Sequence, residues 1–280
     1  MRTLVICALI AASAVAAQRD DDLCTVVTRV TVLPELPEAS GVTLSRRTPG
    51  LLWAHSDSGE PKLFALDAKG AVRGRVRVTG ADTGDWEDIS AGTCPQGTCL
   101  YIADIGDNRH ARQRIRIYRI PEPRPDEAMT SQAEIFEAVY PGGAQDAEAL
   151  FVTGGNEVFL VTKAGRDTTA LYRWPTPLHA GSAPPLQMVV KLPLARVTDA
   201  DVSPDGAWVA LRTNTDLFFY PTRTLVAGAP SASRHFNVHA LGEPQGEGIT
   251  LGPDGMVYLV GEGSRAGTLA ALRCRLGSQG

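Results

Sequence analysis

The sequence predicts an all-β protein that folds as a five-bladed β-propeller closed by its N-terminal strand. Helical periodicity is almost absent, and short strand-like runs are separated by Gly, Pro, Asn and Asp. One unit, made of a polar residue, a short apolar run, a turn and a stronger apolar run, occurs five times. Two further strand-like runs follow most of these units, which gives the four strands that a propeller blade requires.

The chain begins with MRTLVICALIAASAVAA, which has a basic start, a short apolar run and small residues at its end. This pattern is typical of a secretory signal peptide, and the run is too short to span a bilayer as a helix. We therefore expect residues 1–17 to be removed and residues 18–280 to form one β-propeller domain that is secreted or periplasmic. No later run predicts membrane insertion.

The charge balance argues against one large class of partner. The chain has 27 Lys and Arg against 31 Asp and Glu, and its formal net charge is −4. Nucleic acid binding requires a basic face, which this sequence lacks, so we expect no nucleic acid polymer as a partner. The composition leaves the oligomeric state open.

The repeated units define the blades. Their first residues are separated by 47, 61, 50 and 49 residues, so one unit corresponds to one blade. The alternative is a six-bladed ring, but it needs a blade for which the chain has no unit. The units span residues 40–59, 87–108, 148–165, 198–215 and 247–264.

The last unit is followed by only one further strand-like run, TLAALRCRL, so the fifth blade is one strand short. The run CTVVTRVTVLP, which begins at Cys24, supplies the missing strand and closes the ring. This arrangement places Cys24 beside Cys274 on neighbouring strands. Cys94 and Cys99 flank a turn between two strand-like runs. Four cysteines remain once residues 1–17, which include Cys7, are removed. Because an even number of cysteines in an exported chain favours disulfides, we expect the pairs Cys24–Cys274 and Cys94–Cys99.

The innermost strand of each blade lines the central channel, so the residues that open the five units should converge near one rim. Three of them are glutamates, whose carboxylates would repel one another in a narrow channel unless a cation neutralised them. Calcium accepts six to eight oxygen ligands with loose geometry, so we expect a calcium site on the axis. Its predicted ligands are Ser40, Glu87, Glu148, Thr198 and Glu247.

A competing interpretation pairs the glutamates with Lys163 and Arg212, which end the second strands of the third and fourth blades. In that case no metal is needed. Zinc is disfavoured, because no His or Cys belongs to the predicted ring.

The axial series Ser, Glu, Glu, Thr, Glu resembles that of the calcium-activated nucleotidase (apyrase) family, in which the fourth residue is a serine. The segments EASG, GDWEDIS, VALRTNT and QGEGI fall where that family has comparable segments. The resemblance implies a five-bladed propeller with one calcium ion held on the axis by these side chains. The segments DWED, DIGDN and DAEAL are also similar to those of exported bacterial propellers of the phytase-like esterase type.

The second strand of each blade should end near the same rim and surround the mouth of the channel with charged groups. Acids on one side and cations on the other suit a small anionic ligand such as phosphate. We expect Lys163 and Arg212 to clamp the anion, Asp107 and Glu262 to complete the binding site, and Asp57 and Asp104 to act in acid–base catalysis.

Two classes of function remain. The first is a metal-dependent hydrolase of phosphate anhydrides, phosphate esters or a related small ester, and the second is a non-catalytic exported binding propeller with a structural calcium. The rim is dominated by charge rather than by apolar side chains, which favours the enzyme. The chain contains no Gly-x-Ser-x-Gly elbow, P-loop or His-Glu-x-x-His motif, so other common hydrolytic chemistries are disfavoured.

Overall fold

The computed structural model describes residues 18–19, 22–165, 168–231 and 233–277, and its regular structure is almost entirely β-strand. The strands form five small sheets, and each sheet is one blade. The predicted signal peptide, residues 1–17, lies outside the described residues.

Two strands come first in the chain: β1 (Gln18–Arg19) and β2 (Cys24–Leu33). Blade 1 contains β3 (Ala39–Leu44), β4 (Leu51–Ser56), β5 (Lys62–Asp67) and β6 (Val72–Arg77). Blade 2 contains β7 (Trp86–Cys94), β8 (Gly97–Asp104), β9 (Ile115–Pro121) and β10 (Glu134–Ala138). Blade 3 contains β11 (Ala147–Val152), β12 (Val158–Thr162), β13 (Thr169–Arg173) and β14 (Gln187–Leu192).

Blade 4 contains β15 (Val197–Val202), β16 (Trp208–Thr213), β17 (Asp216–Pro221) and β18 (Arg234–Asn237). The short helix α1 (Thr222–Val226) lies between β17 and β18. Blade 5 contains β19 (Gln245–Leu251), β20 (Met256–Glu262), β21 (Gly267–Cys274) and, as its outer strand, β2. Two 3-10 turns cover His239–Leu241 and Pro253–Gly255.

The first strand of each blade is the innermost one. These strands contact one another in a closed ring, in which β3 contacts β7, β7 contacts β11, β11 contacts β15, β15 contacts β19, and β19 contacts β3. This closure confirms the predicted five blades. We call the end of the ring at which the inner strands begin the upper rim.

The N-terminal strand closes the ring as predicted. Strand β2 pairs antiparallel with β21, and the register places Cys24 opposite Cys274. A disulfide joins these two residues, and a second disulfide joins Cys94 to Cys99 across the β7–β8 hairpin. Both predicted disulfides are therefore present.

One strand pairing was not predicted. Strand β1 pairs in parallel with β18, so that Gln18 lies opposite Arg234 and blade 4 has a fifth strand. The residues that follow the predicted cleavage site therefore add to one blade before β2 completes the next.

The hydrophobic core consists of five clusters, and each cluster fills the space between two neighbouring blades. Trp53 packs between blades 1 and 2, and Trp208 packs between blades 4 and 5. Burial differs between inner and outer strands, since β11 and β15 are buried on both faces, whereas the outer strand β14 is mostly exposed. Within the described residues, no helix has the length and apolarity needed to cross a membrane.

Candidate metal and anion site

Four of the five predicted axial residues line one small cavity at the upper rim. Ser40, Glu87, Glu148 and Glu247 surround a space of about 150 Å³, which we call the axial cavity. Thr198 lines instead a neighbouring, larger cavity, which also borders Glu247. The inner strands therefore bring the predicted set together, with Thr198 displaced to one side.

A β-bulge occurs at the axial position of every inner strand. The strand register shifts between Ala39 and Val42, Trp86 and Asp88, Ala147 and Ala149, Val197 and Asp199, and Gly246 and Ile249. Each predicted axial residue lies within its shift. A bulge leaves a residue unpaired and redirects its side chain. The recurring bulge is thus the local device that turns these side chains toward the channel.

The two axial hydroxyl groups link neighbouring blades. Ser40 Oγ donates a hydrogen bond to the carbonyl oxygen of Glu87 at 2.7 Å, and Thr198 Oγ1 donates one to the carbonyl oxygen of Glu247 at 2.8 Å. Each hydroxyl oxygen keeps lone pairs that can accept a further bond or coordinate a cation.

Acidic side chains dominate the axial cavity. Seven carboxyl groups and one lysine line it. The acids are Glu38, Asp57, Asp85, Glu87, Glu148, Glu247 and Glu262, and the lysine is Lys163. Such a set carries far more negative charge than its single ammonium group can balance.

The crowding shifts the pKa values of these acids. The pKa of Glu87 lies well above its usual range because of burial and, secondarily, because of the neighbouring charges of Glu148 and Asp85. Burial also raises the pKa of Glu148 to about 8, against the opposing effect of Lys163. Burial likewise raises the pKa of Glu247. The cavity therefore favours either protons or an added cation.

The predicted alternative was that Lys163 and Arg212 neutralise the axial glutamates, and only the lysine does so. Lys163 forms an ion pair with Glu148. Arg212 does not reach an axial glutamate, because its guanidinium is fully buried and bonded to Glu243 at 2.7 Å and to the carbonyl oxygens of Gly248 and Val260. In that position Arg212 has no access to a ligand in the cavity, so its predicted role as an anion clamp has no geometric support.

The candidate acid–base residues differ in their surroundings. Asp57 lines the axial cavity, and its Oδ1 atom is buried without a hydrogen-bond partner among the described residues. Asp104 is buried and forms ion pairs with Arg112 at 2.8 Å and Arg116 at 3.5 Å, and it accepts the Asp85 N–H at 3.0 Å. Asp57 is therefore placed to act on a ligand, whereas Asp104 supports the loop that carries Asp85.

Of the two remaining predicted rim residues, one lines the axial cavity and the other does not. Glu262 lines the axial cavity. Asp107 instead accepts the backbone N–H groups of Ala111 and Arg112 at 2.9 and 2.8 Å, so its carboxylate holds a turn. Asp107 thus lies outside the axial cavity and does not face its acids.

Four polar residues that the sequence did not single out also line the axial cavity, namely Glu38, Asp85, Asn108 and Gln245. Asp85 belongs to the GDWEDIS segment, whose three carboxylates were a visible signal. Gln245 Nε2 donates to Glu262 at 2.9 Å and also to the Glu247 carboxylate, so it bridges two of the acids.

A second set of acids lies deeper, between the blades. Asp88 Oδ2 accepts the Leu150 N–H at 2.6 Å, and Asp199 Oδ2 accepts the Ile249 N–H at 2.6 Å, so each ties its own inner strand to that of the next blade. The two carboxyl groups also interact with each other. Burial raises the pKa of Asp88 to about 7 and that of Asp199 well above its usual range. Because two buried carboxylates repel, the pair favours one shared proton over two negative charges.

No three His, Cys, Asp or Glu side chains of the described part of the chain are already arranged as a metal shell. This agrees with the position of Lys163, whose ammonium group forms an ion pair with the carboxylate of Glu148. A metal ion at the axis would therefore have to displace that ammonium group.

The larger cavity beside the axial one has a volume of about 670 Å³. Asn108, Lys163, Gln245 and Glu247 border both cavities. A further space of about 460 Å³ lies near the turns that precede β16 and β20, at the opposite end of the blades, and it shares no residue with the axial cavity.

Sequence comparisons identify no relative: no protein-family model matches this chain, and no curated protein does. Solved structures do resemble it. The PQQ-bound aldose sugar dehydrogenase of Streptomyces coelicolor aligns with a TM-score of 0.54 at 12% identity, over 90% of this chain and 98% of that one. The apo-form soluble aldose sugar dehydrogenase of Escherichia coli gives a TM-score of 0.50 at 10% identity, over 89% and 100% of the two chains.

A gluconolactonase of Xanthomonas campestris, XC5397, aligns with a TM-score of 0.49 at 11% identity, over 91% of this chain and 96% of that one. At such identities the likeness concerns the fold alone. The function has to be argued from the axial cavity and its neighbour.

Proposed function

We propose that this protein is an exported β-propeller that binds one calcium ion on its axis and hydrolyses a small anionic substrate, namely a phosphate ester, a phosphate anhydride or a related ester. The crowding of seven carboxyl groups around one lysine in the axial cavity carries the proposal. A divalent cation would offset the burial and the mutual repulsion that raise the pKa values of these groups.

The chemistry of the axial residues fits calcium. Glu87, Glu148 and Glu247 offer carboxylate oxygens, and Ser40 and Thr198 offer hydroxyl oxygens, which are the hard ligands that calcium prefers. The unpartnered Oδ1 atom of Asp57 also suits a cation nearby.

The backbone also leaves room for these carboxylates. A Cβ atom on Gly106 would collide with the Glu87 and Asp85 carboxylates, so a glycine at this position lets both groups lie against the main chain. Any larger residue would push them out of their present positions.

Lys163 would change partner when a cation enters. Its ammonium group now pairs with Glu148, and its side chain is 34% exposed, so it can turn toward the adjoining cavity without crossing the core. Freed from Glu148, it would hold the oxyanion of a substrate. In this proposal Lys163 contacts the anion, as the sequence predicted, whereas the buried Arg212 does not.

Asp57 is the residue that we assign to proton transfer. Burial, followed by the charges of Glu38 and Glu262, raises the pKa of its carboxyl group, which brings it closer to the pH at which a general acid or base works best. A bound calcium ion would supply positive charge to a substrate oxygen. Asp104 remains a positioning residue, because its two arginine partners hold it away from the cavity.

Export is part of the proposal. The two disulfides in the described part of the chain fit an oxidising compartment, in agreement with the predicted signal peptide.

A hydrolysis assay tests the proposal. The wild-type chain should hydrolyse p-nitrophenyl phosphate, p-nitrophenyl acetate or ATP in calcium and lose this activity in a chelator. Asp57→Asn should lower kcat at least about 100-fold, since general acid–base catalysis contributes that much or more. Asp254→Asn removes an exposed carboxylate near the opposite end of the blades and should leave kcat unchanged. Absence of turnover with all three substrates would contradict the proposed hydrolase.

The second candidate is a non-catalytic binding propeller. The positions of Arg212 and Asp104 favour it, because these two residues, expected to act on a substrate, are engaged in ion pairs within the protein. It predicts that small anions bind at the upper rim and are released unchanged.

A further inference from the structure

The larger cavity beside the axial one has a distinct chemical character. Its volume of about 670 Å³ is within the range of small-molecule sites, and it shares Lys163 and Glu247 with the axial cavity. One molecule can therefore extend from the axial acids into this space. We call it the side cavity.

The side cavity is lined by three cations, Lys163, Lys191 and Arg196, and by two acids, Asp146 and Glu247. Lys191 and Arg196 are both exposed there, and neither forms an ion pair with a carboxylate of the described residues. By contrast, Arg112, Arg114 and Arg119 on blade 2 all pair with acids. Together with Lys163, the two unpaired cations provide positive charge directly beside an acidic centre.

The backbone around this cavity adopts an uncommon conformation. Five described non-glycine residues have a positive φ, and three of them, His110, Ala164 and Arg196, line the side cavity with φ values of 50°, 50° and 55°. Residues other than glycine rarely occupy this region, and such strain concentrates at ligand-binding positions. The Arg196 N–H donates to the carbonyl oxygen of Ala164 at 2.9 Å, which fixes two of these loops to each other.

Part of the cavity wall is apolar. Tyr172 and Met188 lie opposite each other on β13 and β14, and both line the space. Met188 is 53% exposed, which is unusual for a large apolar side chain among the described residues, whereas Tyr172 is buried and contacts the edge of Tyr140 at 5.2 Å between ring centroids. A flat apolar group could lie against Met188.

We propose that the side cavity binds both the phosphoryl group and the organic part of the substrate, and that the substrate is a phosphate monoester of an aromatic alcohol. Lys163, Lys191 and Arg196 hold the phosphoryl oxygens, while the ring lies against Tyr172 and Met188. This inference rests on the proposed function for the reaction, but the binding itself does not depend on turnover.

Binding of phosphonates tests the inference, because their C–P bond is not cleaved by phosphate ester hydrolysis. Isothermal titration in calcium should show that phenylphosphonate binds the wild-type chain about 10-fold more tightly than methylphosphonate, since the ring buries apolar area. Met188→Ser should remove most of this difference and leave the affinity for methylphosphonate unchanged.

The cations are tested in the same way. Lys191→Gln and Arg196→Asn should each weaken phenylphosphonate binding about 10-fold, because each removes a charge-assisted hydrogen bond. Asparagine tolerates the positive φ at position 196. Lys69→Gln removes an exposed lysine in the β5–β6 turn, outside both cavities, and should bind phenylphosphonate as the wild type does. Melting temperatures would confirm that all variants fold.

Equal affinities for the two phosphonates, or wild-type affinity in both cation variants, would overturn the inference. Its failure can be separated from that of the proposed function. Phenylphosphonate binding without hydrolysis of any ester would leave the side cavity assigned and refute the hydrolase. Hydrolysis of p-nitrophenyl phosphate with an unchanged KM in Lys191→Gln and Arg196→Asn would support the hydrolase and refute the assignment of the side cavity.

Discussion

At the scale of single residues, Arg212 joins two blades from inside the protein. It belongs to β16 in blade 4, and its guanidinium contacts the carbonyl oxygens of Gly248 and Val260 in blade 5 and the carboxylate of Glu243. A buried ion pair contributes little net stability compared with apolar packing, but loss of one partner leaves the other charge buried and unpaired.

We predict that Arg212→Ala lowers the free energy of unfolding by about 3–5 kcal/mol, because Glu243 would remain buried without its partner. Urea denaturation measures the change. Arg265→Ala removes an exposed arginine and should cost less than about 0.5 kcal/mol. A loss below about 1 kcal/mol for Arg212→Ala would show that the buried pair does not join the blades.

The different role of Arg212 has a simple physical origin. From sequence, Arg212 lies 14 residues after its axial residue and Lys163 lies 15 residues after its own, so both were expected at the rim. The strand registers separate them: Thr162 pairs with Ala147 and Thr213 with Val197, so Lys163 follows the strand end, whereas Arg212 still lies within its strand, opposite Asp199. Similar spacing in the sequence therefore did not correspond to the same height at the rim.

At the scale of elements, the blade strands were predictable and the bulges were not. Polar openings followed by apolar runs locate every inner strand. The bulge at this position takes Glu87 out of the strand pairing and lets it line the axial cavity, whereas Asp88 is buried and accepts a hydrogen bond from the next inner strand. The buried Asp88–Asp199 pair could therefore not be foreseen. Strand β1 was also missed, because a two-residue strand has no periodicity.

The acids that link the inner strands predict a pH dependence. In the folded chain without calcium, the pKa of Asp88 is raised to about 7 and that of Glu148 to about 8, whereas in the unfolded chain both titrate near pH 4. Because the folded pKa is the higher one, the stabilising contribution is present at low pH and is lost as the pH rises through 7 and 8.

We predict that the free energy of unfolding in a chelator falls between pH 6.5 and 8.5. His55 opposes this trend mainly at lower pH, since burial lowers its pKa to about 4 and its ring is almost entirely neutral in both states above about pH 7.5. Urea titrations at several pH values measure the slope, and Asp88→Asn should flatten it. A stability that stays constant or rises over this range would contradict the shared proton.

At the scale of the whole molecule, closure of the ring depends on the N-terminal strand. Strand β2 completes blade 5, and the Cys24–Cys274 disulfide fixes the two ends of a loop with a sequence separation of 250 residues. The sequence predicted this closure for two reasons. The last blade lacked one strand, and a strand-like run without a blade lay near the N-terminus. The two cysteines outside the β7–β8 hairpin, Cys24 and Cys274, lay near opposite ends of the chain.

We predict unequal effects of the two disulfides on stability. In the chain-entropy model, loss of the Cys24–Cys274 bond should lower the free energy of unfolding by up to about 5 kcal/mol, and loss of the Cys94–Cys99 bond by about 2 kcal/mol, because the second loop is short. Chemical denaturation of Cys24→Ser/Cys274→Ser and Cys94→Ser/Cys99→Ser measures both. A larger effect of the hairpin disulfide would contradict closure as the main constraint.

The five-fold ring gathers the acids of all blades except the fourth in one cavity, and a cation at that point would bind the folded chain alone. Thermal unfolding with and without calcium tests this claim most directly. Ligand at 100 times its dissociation constant stabilises a protein by about 2.7 kcal/mol, so calcium should raise the melting temperature of the wild type by several degrees, and a chelator should reverse the effect. Glu87→Gln should reduce the response, whereas Glu60→Gln, an exposed acid outside the axial cavity, should retain it. A melting temperature of the wild type that does not change with calcium would contradict the axial metal site.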